Sequence, residues 1–480
     1  MSPGFLLACF LLYTGILFVV TWVTARRANN DSFYIGNKQS PWYIVAYGMI
    51  GASLSGVTFM SVPGWVGDTQ FSYLMVVFGY FFGYFIIATV LMPMYYRLNL
   101  TSIYTYLLQR FGFWSYKTGA FFFLLSRSIG ASFRMFLVVN VLQLFIFDAW
   151  GVPFGMTVAV FIILILLYTF RGGIKTIIWT DTLQTTFMLL AVVLSVFFIS
   201  GEIHVPVKGL ISRIFQSEYS KVIVTGWQDE RFFLKQFLSG IFITIAMTCL
   251  DQEMMQKNLS CRSLRDAKKN MFSFSFVLVM VNLMFLMLGA VLFIFAGSKG
   301  MEIPARTDDL FPVIALQHLG PVAGIVFMIG LISAAYPSAD GALTALTTSF
   351  SIDFLGLKEK QHISEMEKTK IRYIVHFCFA ALLLLIIVVF RAINDRAVID
   401  KLFTIAGYTY GPLLGLFSFG LFTKFQVKDK FVPVVTIISP VICYVVSEFS
   451  GIWFGGYKFG FELLILNGLI TFAGLLMLKR

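Results

Sequence analysis

Several charged side chains lie inside apolar runs of the sequence that are long enough to cross a membrane. Arg127 and Arg134 belong to one such run, and their seven-residue spacing places both on one face of a helix. Asp181 and Asp340 lie in two other runs. A carboxylate at the centre of a bilayer costs roughly 2.5–3.5 kcal/mol unless it is paired or hydrated. These residues therefore indicate a pathway for an ion or a charged solute.

Each of these residues also has a purely structural interpretation. Neighbouring hydroxyl groups could satisfy Asp340, and Asp181 could pair with one of the two arginines. Arg127 lies nearer the end of its run, so it could reach water or make a structural ion pair. Arg134 lies deeper and is either an ion-pair partner or the anchor of an anionic substrate, because a guanidinium binds a carboxylate through two N–H groups.

The second apolar run is a poor continuous helix. Its segment 51–58 holds two glycines and three hydroxyl residues, and Pro63-Gly64 follows. A break in this segment would free the carbonyls of about Gly51 to Leu54, and these oxygens could face a cation. Tight helix packing through small residues is the alternative.

The ninth apolar run has a similar composition. Pro337 removes one backbone donor and frees a carbonyl, and Ser338 and Asp340 follow within one turn. We therefore expect this run to be a second interrupted helix whose oxygens are available to a cation.

The elements that carry these residues are predicted to be membrane-spanning helices. Hydrophobic residues make up 58% of the 480 positions and charged residues only 12%, against roughly 25% in an ordinary soluble domain. We predict an all-α polytopic membrane protein, a single transporter domain over 1–480, with about thirteen spans near 4–23, 42–66, 72–96, 118–147, 153–171, 175–200, 234–253, 270–297, 320–350, 371–391, 399–423, 431–449 and 461–478.

The distribution of basic residues predicts the orientation of the chain. The net charge of +12 comes mainly from short loops between apolar runs, a pattern of membrane topology and not of nucleic-acid binding. Every second loop, beginning with 24–41, faces the same side of the membrane. The loops on this side, which include Lys257, hold roughly twice as many basic residues as the loops on the other side. We expect a protein of the cell membrane with its N-terminus outside and its C-terminus in the cytoplasm.

Other sources of chemistry find little support in the sequence. No GxxxxGK[ST] phosphate loop occurs, so an ion gradient is a better source of energy than ATP. The five cysteines and four histidines are scattered, which argues against a zinc site or a disulfide framework. His376 is the only histidine well inside a span, and no nucleophile accompanies it, so we do not expect an enzyme.

Three motifs in order resemble the sodium/solute symporter family, which includes proline, sugar, pantothenate and sialic acid transporters. The most specific is Gly172-Gly173, predicted to form a turn, followed by Trp179-Thr180-Asp181 and Gln184. The hydroxyl-rich second run ending in Pro63-Gly64, and Asp251-Gln252 with Gln256, complete the set. The resemblance implies a leucine-transporter-like fold: one extra helix (4–23), two inverted five-helix repeats (42–200 and 234–423) and two extra C-terminal helices (431–478). The first helix of each repeat would be unwound at the midplane.

The resemblance also implies a main Na⁺ site, with Na⁺ as the coupling ion. By position, its ligands would be the carbonyls of Gly51, Leu54 and Ala334 and two side-chain hydroxyls at positions 337 and 338. The chain departs from this pattern because Pro337 lacks the hydroxyl that Ser338 retains.

A second cation site is implied less directly. Some family members use an aspartate aligned with Asp181 together with serines near 340 and 341, where this chain has Asp340 and Gly341. Two carboxylates in one cavity could hold a second cation, or one could stay protonated. Proton coupling therefore remains the alternative to sodium coupling, and a transporter-like sensor is a more distant one.

The substrate contacts of the family map to Ser53, Ser55 and Thr58 in the second run and to the fourth and eleventh runs. Those runs contribute Arg134 and Tyr408, although Tyr408 could equally be a packing residue. The sialic acid branch has a similar hydroxyl trio and arginine. The expected function is therefore Na⁺-coupled symport, by alternating access, of a small organic solute into the cytoplasm. The solute would be an organic anion such as a sialic or other carboxylic acid, or a sugar, and the protein a monomer in the lipid bilayer.

Overall fold

The computed structural model describes residues 2–24, 38–100, 102–360, 362–393 and 398–480, without the side chains of 24, 168, 170–176 and 393. Within this part of the chain the architecture is all-helical, and the only β-pairing is two isolated bridges. The helices used below are α1 Pro3–Thr24, α2 Trp42–Ser53, α3 Gly56–Thr69, α4 Tyr73–Arg97, α5 Thr105–Arg110, α6 Phe113–Leu142, α7 Phe154–Glu202, α8 Val207–Gln216, α9 Phe233–Cys249, α10 Gln252–Leu259, α11 Leu264–Lys299, α12 Gly320–Ser349, α13 Glu365–Ile393, α14 Val398–Phe422, α15 Val432–Glu448 and α16 Leu463–Met477.

The apolar helices confirm a polytopic membrane protein. Among the described residues, nine helices are long and apolar enough to cross a bilayer, or eleven if each of two bent pairs is one span. Two shorter apolar helices, Phe154–Leu167 and α16, fall at the fifth and thirteenth predicted runs. The turn predicted at Gly172-Gly173 is wrong for the backbone: α7 is helical from Phe154 to Glu202, and the fifth and sixth predicted runs both lie on it.

The first bent pair is the predicted break in the second run. α2 and α3 meet at an angle of 55°. Leu54 (φ −89°, ψ 81°) and Ser55 (φ −83°, ψ −175°) leave the helical region between them. Glycines and hydroxyl residues favour such a break, because glycine weakens a helix and hydroxyl groups compete for its backbone hydrogen bonds.

The second bent pair lies at the start of the second predicted repeat. α9 and α10 meet at 67°, where Asp251 adopts extended backbone (φ −107°, ψ 121°). The Asp251 carboxylate accepts hydrogen bonds from the backbone N–H groups of Glu253 (2.9 Å) and Met254 (3.3 Å). Asp251 is therefore the N-cap that starts α10 after the break.

The expected interruption of the ninth run is wrong. α12 is one α-helix from Gly320 to Ser349 and continues through Pro337. The Ser338 hydroxyl donates to the carbonyls of Ala335 (3.0 Å) and Ala334 (3.5 Å) of its own helix. Side-chain hydroxyls and neighbouring helices can satisfy backbone groups around a proline in this way, so a transmembrane helix tolerates the residue without unwinding.

α12 lies at the centre of the bundle. Every side chain from Ser333 to Ser349 is buried, and α12 packs along α7 and against α1, α2, α3, α6 and α13. The broken α2–α3 segment is thereby held between α12, α7, α6 and α11. This packing positions the residues of the candidate site.

Candidate functional site

A cavity lies at the break between α2 and α3. It encloses about 720 Å³ of non-atom space, counting its open mouth. Ser53, Ser55 and Thr58 all line it, as do residues of α4, α6, α9, α11 and α14. The hydroxyl trio predicted for substrate binding is therefore brought together in one cavity.

The two arginines of α6 have different surroundings. Arg127 forms buried ion pairs with Glu253 and with Asp251, whose Oδ2 is 3.6 Å from its Nη1. Arg134 lines the cavity, is 9% exposed, and its Nε has no hydrogen-bond partner. Within the described residues we find no ion pair for Arg134. Of the two interpretations left open by the sequence, the geometry therefore favours an anchor for an anion.

Hydroxyl and aromatic side chains form the rest of the cavity wall. Tyr73, Tyr80 and Tyr84 face it from one side of α4, and the hydroxyl oxygens of Tyr73 and Tyr80 are 3.1 Å apart. Phe403 of α14 lines the cavity as well, and its ring centroid is 4.7 Å from that of Phe461. Such a wall suits a ligand with both polar and apolar faces.

The α2–α3 break leaves backbone oxygens available for a cation. The Leu54 N–H bonds to the Ile50 carbonyl, and the next helix begins with the bond from Phe59 to Ser55. Between these two bonds, no backbone N–H of the described residues donates to the carbonyl of Gly51 or Leu54. Small hard cations such as Na⁺ prefer oxygen ligands of this kind. The predicted bare carbonyls of Gly51 and Leu54 are therefore present.

The other predicted ligands of the main Na⁺ site are on α12. Ala334, Pro337 and Ser338 are all fully buried there, and α12 contacts both α2 and α3. Pro337 offers no side-chain oxygen, so a site between these helices has the three predicted backbone carbonyls, of Gly51, Leu54 and Ala334, and the Ser338 hydroxyl.

The position of Lys257 differs more from the sequence-based prediction than that of any other residue discussed above. The sequence pattern assigns it to a loop, but it is 1% exposed and lies in α10. Its Nζ is 2.7 Å from Oδ2 of Asp181 and 3.5 Å from Oε1 of Glu253. Asp181 therefore pairs with a lysine of α10 and with neither arginine of α6.

These contacts belong to a larger buried polar network. The Tyr410 hydroxyl donates to Asp251 (2.7 Å), Arg127 joins Asp251 to Glu253, and Lys257 continues from Glu253. The network connects α14, α6, α10 and α7, and Arg127 also lines the cavity. Sequence reasoning missed Glu253 and Lys257, although two charges four residues apart just after the Asp251-Gln252 motif were an available signal.

Asp340 lies close to this network. Its Oδ1 accepts a hydrogen bond from the Gly341 N–H at 2.5 Å. A Cβ added to Gly341 would overlap the Glu253 carboxyl group, so glycine lets Glu253 approach α12. Asp181 pairs with Lys257, which contacts Glu253. Asp340 directly precedes Gly341, which lies against Glu253. Lys257 already neutralises the charge of Asp181.

Tyr408 lies away from the cavity. Its ring centroid is 6.2 Å from that of Tyr444 on α15, and the Asn467 side chain donates to its carbonyl. It is absent from the cavity lining, whereas Tyr410, two positions later, points to Asp251. The packing role that the sequence left open describes its position better.

Sequence comparison places this chain among known transporters. A family model described as the sodium:solute symporter family matches residues 33–428. The sodium/sialic acid symporter SiaT of Proteus mirabilis is 23% identical over 91% of this chain and 88% of its own. The sodium-coupled monocarboxylate transporter 1 of Mus musculus is 24% identical over 83% of this chain and 65% of its own.

Structural comparison agrees with the sequence comparison. A Na⁺-coupled sialic acid symporter, solved in a substrate-bound outward-open state, superposes with a TM-score of 0.83 at 19% identity, covering 98% of this chain and 97% of that one. Mhp1, a nucleobase-cation-symport-1 family transporter in a closed conformation, gives 0.55 at 12% identity, over 93% and 92% of the chains. The chain therefore belongs to the sodium:solute symporter family and is a Na⁺-coupled transporter, not an enzyme.

Proposed function

We propose that this protein carries a small organic anion, bound through a carboxylate, into the cytoplasm together with Na⁺. The observation that supports this substrate class is Arg134, a buried guanidinium that lines the cavity and has an unpartnered Nε. A guanidinium stays charged and can bind a carboxylate through two parallel hydrogen bonds. Relatives described as sialic acid and monocarboxylate transporters carry substrates of the same class.

Ser53, Ser55 and Thr58 are the proposed partners for the remaining polar groups of the substrate. They line the same cavity as Arg134 and can both donate and accept hydrogen bonds. A sialic acid or another hydroxylated carboxylic acid fits this combination better than a neutral sugar, because a sugar would leave the guanidinium unpaired. We leave Tyr408 out of the proposed binding site.

The proposed Na⁺ site lies between the α2–α3 break and α12. Its ligands are the carbonyls of Gly51, Leu54 and Ala334 and the Ser338 hydroxyl. Support comes from the bare carbonyls at the break and from the contact of α12 with α2 and α3. A bound ion would fix the break and so organise the neighbouring hydroxyl residues for substrate.

Asp181 and Asp340 remain the candidates for a second cation. We place the first ion at the main site because Lys257 occupies one oxygen of Asp181 and supplies a positive charge there. The other oxygen, Oδ1, is buried without a hydrogen-bond partner. A second ion would have to use that oxygen.

Alternating access is the proposed mechanism, in a monomer of thirteen spans with its N-terminus outside. The eleven candidate spans and the two shorter apolar helices together give this number. We divide the chain into 4–23, repeats 42–200 and 234–423, and 431–478. Both repeats begin with a broken helix, as inverted-repeat transporters require at their binding sites.

The energy available from one ion depends on the charge of the solute that it accompanies. A Na⁺ entering down 100 mV contributes about 2.3 kcal/mol, and a tenfold concentration gradient adds about 1.4 kcal/mol. Together they support roughly 500-fold accumulation of a neutral solute. For a monovalent anion carried with one Na⁺, net charge movement cancels, so the voltage contribution requires a second ion.

Proteoliposome uptake tests the proposal. Labelled sialic acid, lactate and glucose are compared under an inward Na⁺ gradient, with Arg134→Gln as the variant and the exposed Arg213→Gln as the matched control. We expect Na⁺-dependent uptake of an acid, lost in Arg134→Gln and retained in the control. Acid uptake that survives in Arg134→Gln, or uptake driven by a pH gradient without Na⁺, would overturn the proposal.

A further inference from the structure

The beginning of α11 carries three basic residues on one face of a membrane helix. Lys268 and Lys269 follow Arg265 by three and four residues, and Phe272 continues the same stripe. These side chains and Leu264 line an open groove of about 660 Å³, counting its open space. We call it the α11 groove.

The basic side chains of the α11 groove are exposed or half-buried. Within the described residues, none of the three basic side chains takes part in an ion pair. Asp266, the acid of this turn, directly follows Arg265 and so points about 100° away from it. The nearest aromatic contact is that of Lys269, whose Nζ is 5.8 Å from the ring centroid of Trp42 at the start of α2. The positive charges are therefore concentrated beside the groove, whose wall is formed by apolar atoms of these side chains.

Apolar side chains continue the same face toward the middle of the bilayer. Phe272 is 39% exposed and Phe276 is 59% exposed, and the Phe272 ring centroid lies 5.7 Å from that of Phe85 on α4. From Arg265 to Phe276 a helix rises about 16 Å, which is about half of a ~30 Å hydrocarbon core. The face thus has the dimensions of one lipid leaflet, with charge at the surface and aromatic rings below.

We infer that the α11 groove binds one anionic phospholipid from the leaflet in which the N-terminal end of α11 lies. Its phosphate contacts Arg265, Lys268 and Lys269, and an acyl chain lies along Phe272 and Phe276. Charge complementarity selects the anionic headgroup, because basic pockets between membrane helices attract such lipids. The continuous apolar stripe selects a lipid over a free phosphate. This inference is independent of the substrate that the cavity binds.

Native mass spectrometry of the full-length protein, extracted from vesicles of phosphatidylcholine with or without phosphatidylglycerol, tests the inference. The variant is Arg265→Gln/Lys268→Gln/Lys269→Gln. The control is Lys424→Gln/Lys428→Gln/Lys430→Gln, which removes three exposed charges from another loop. We expect the wild type and the control to retain phosphatidylglycerol and the α11 variant to bind it on the order of 100-fold more weakly, at about 1 kcal/mol per basic residue.

Two further measurements separate the alternatives. Soluble glycerol phosphate should leave lipid retention unchanged, whereas competition by it would show a simple anion site and overturn the lipid assignment. Phe272→Ala keeps the charges and should still reduce retention severalfold. Equal retention by the α11 variant and the control would also overturn the inference, and a normal thermal transition of each variant in phosphatidylcholine alone establishes that it is folded.

Discussion

The Lys257 ammonium lies 2.7 Å from the Asp181 carboxylate, and both side chains are buried, at 1% and 0% exposure. The pair joins α7 to α10, the short helix that follows the α9–α10 break. Lys257 also contacts Glu253, which pairs with Arg127 at the cavity wall. A continuous series of buried charges therefore connects the candidate substrate site with the carboxylate considered for a second cation.

Removing Lys257 should destabilise the protein, because it leaves the buried Asp181 carboxylate without its cation. For Lys257→Met we expect a loss of about 3–5 kcal/mol, the typical cost of breaking a buried pair from one side. Asp181→Asn/Lys257→Met removes both charges and should recover most of that loss. Thermal unfolding in detergent measures the effect, and a double variant no more stable than the single one would contradict it.

The number of coupled ions tests whether Lys257 replaces a second Na⁺ at Asp181. If it does, the wild type has a Hill coefficient for Na⁺ near one, and Lys257→Ala acquires a steeper Na⁺ dependence as Asp181 becomes available. The measurement is Na⁺-dependent uptake at saturating substrate. A coefficient near two in the wild type, with Asp181→Asn reducing it to one, would place a second ion beside the lysine.

Ser338→Ala should weaken Na⁺ activation, since it removes the only side-chain oxygen proposed for the main site. We expect the half-activating Na⁺ concentration to rise about tenfold. This is the effect of losing one contact between the ion and a side-chain oxygen, if that contact is as strong as a hydrogen bond to a charged group. Ser195→Ala is the matched control, because its hydroxyl also donates to a carbonyl of its own helix (2.7 Å). An unchanged Na⁺ titration in Ser338→Ala would remove this residue from the site.

Gly51→Ala should disturb the contact between α2 and α7. A Cβ at this position would overlap the Thr185 hydroxyl, which itself donates to the Asp181 carbonyl at 2.7 Å. We expect a loss of stability of about 1–3 kcal/mol, as for other overpacked sites, with partial recovery in Gly51→Ala/Thr185→Ala. Gly201→Ala, where a Cβ meets nothing within 4 Å, should be tolerated.

Stability should depend on pH through Asp308, in the loop between α11 and α12. Burial raises the pKa of the Asp308 carboxyl to about 6. The folded state therefore binds this proton more tightly than the unfolded state, and the free energy of unfolding falls by about 3 kcal/mol as pH rises from about 4 to about 6.

Asp308→Asn should remove this pH dependence, because an amide has no proton to lose in that range. Its side-chain oxygen can still accept the Val398 N–H, which is 3.0 Å from Asp308. Thermal unfolding between pH 4 and pH 7 measures the change, with the exposed Asp68→Asn as the control. Equal pH profiles for the wild type and Asp308→Asn would contradict the assignment.

The sequence by itself determined the membrane architecture and the first break. Apolar length is a local property, so most of the runs coincide with helices, although the fifth and sixth runs lie on the single helix α7. The glycines and hydroxyl residues around Leu54 predicted the bend between α2 and α3 for the same reason, because helix strength depends on neighbouring residues. The family motifs likewise indicated a Na⁺-coupled transporter before any geometry was known.

Only the tertiary structure decided which charges pair and which remain available. Arg127 and Arg134 share a helix face and a residue type, yet only Arg127 meets the carboxylates of the α9–α10 break. Lys257 reads as a loop residue, but its partner Asp181 is 76 positions away and withdraws it from solvent. Pro337 stays inside a continuous helix because surrounding helices support it. Pairing depends on distances between elements remote in sequence, and local patterns carry no information about those distances.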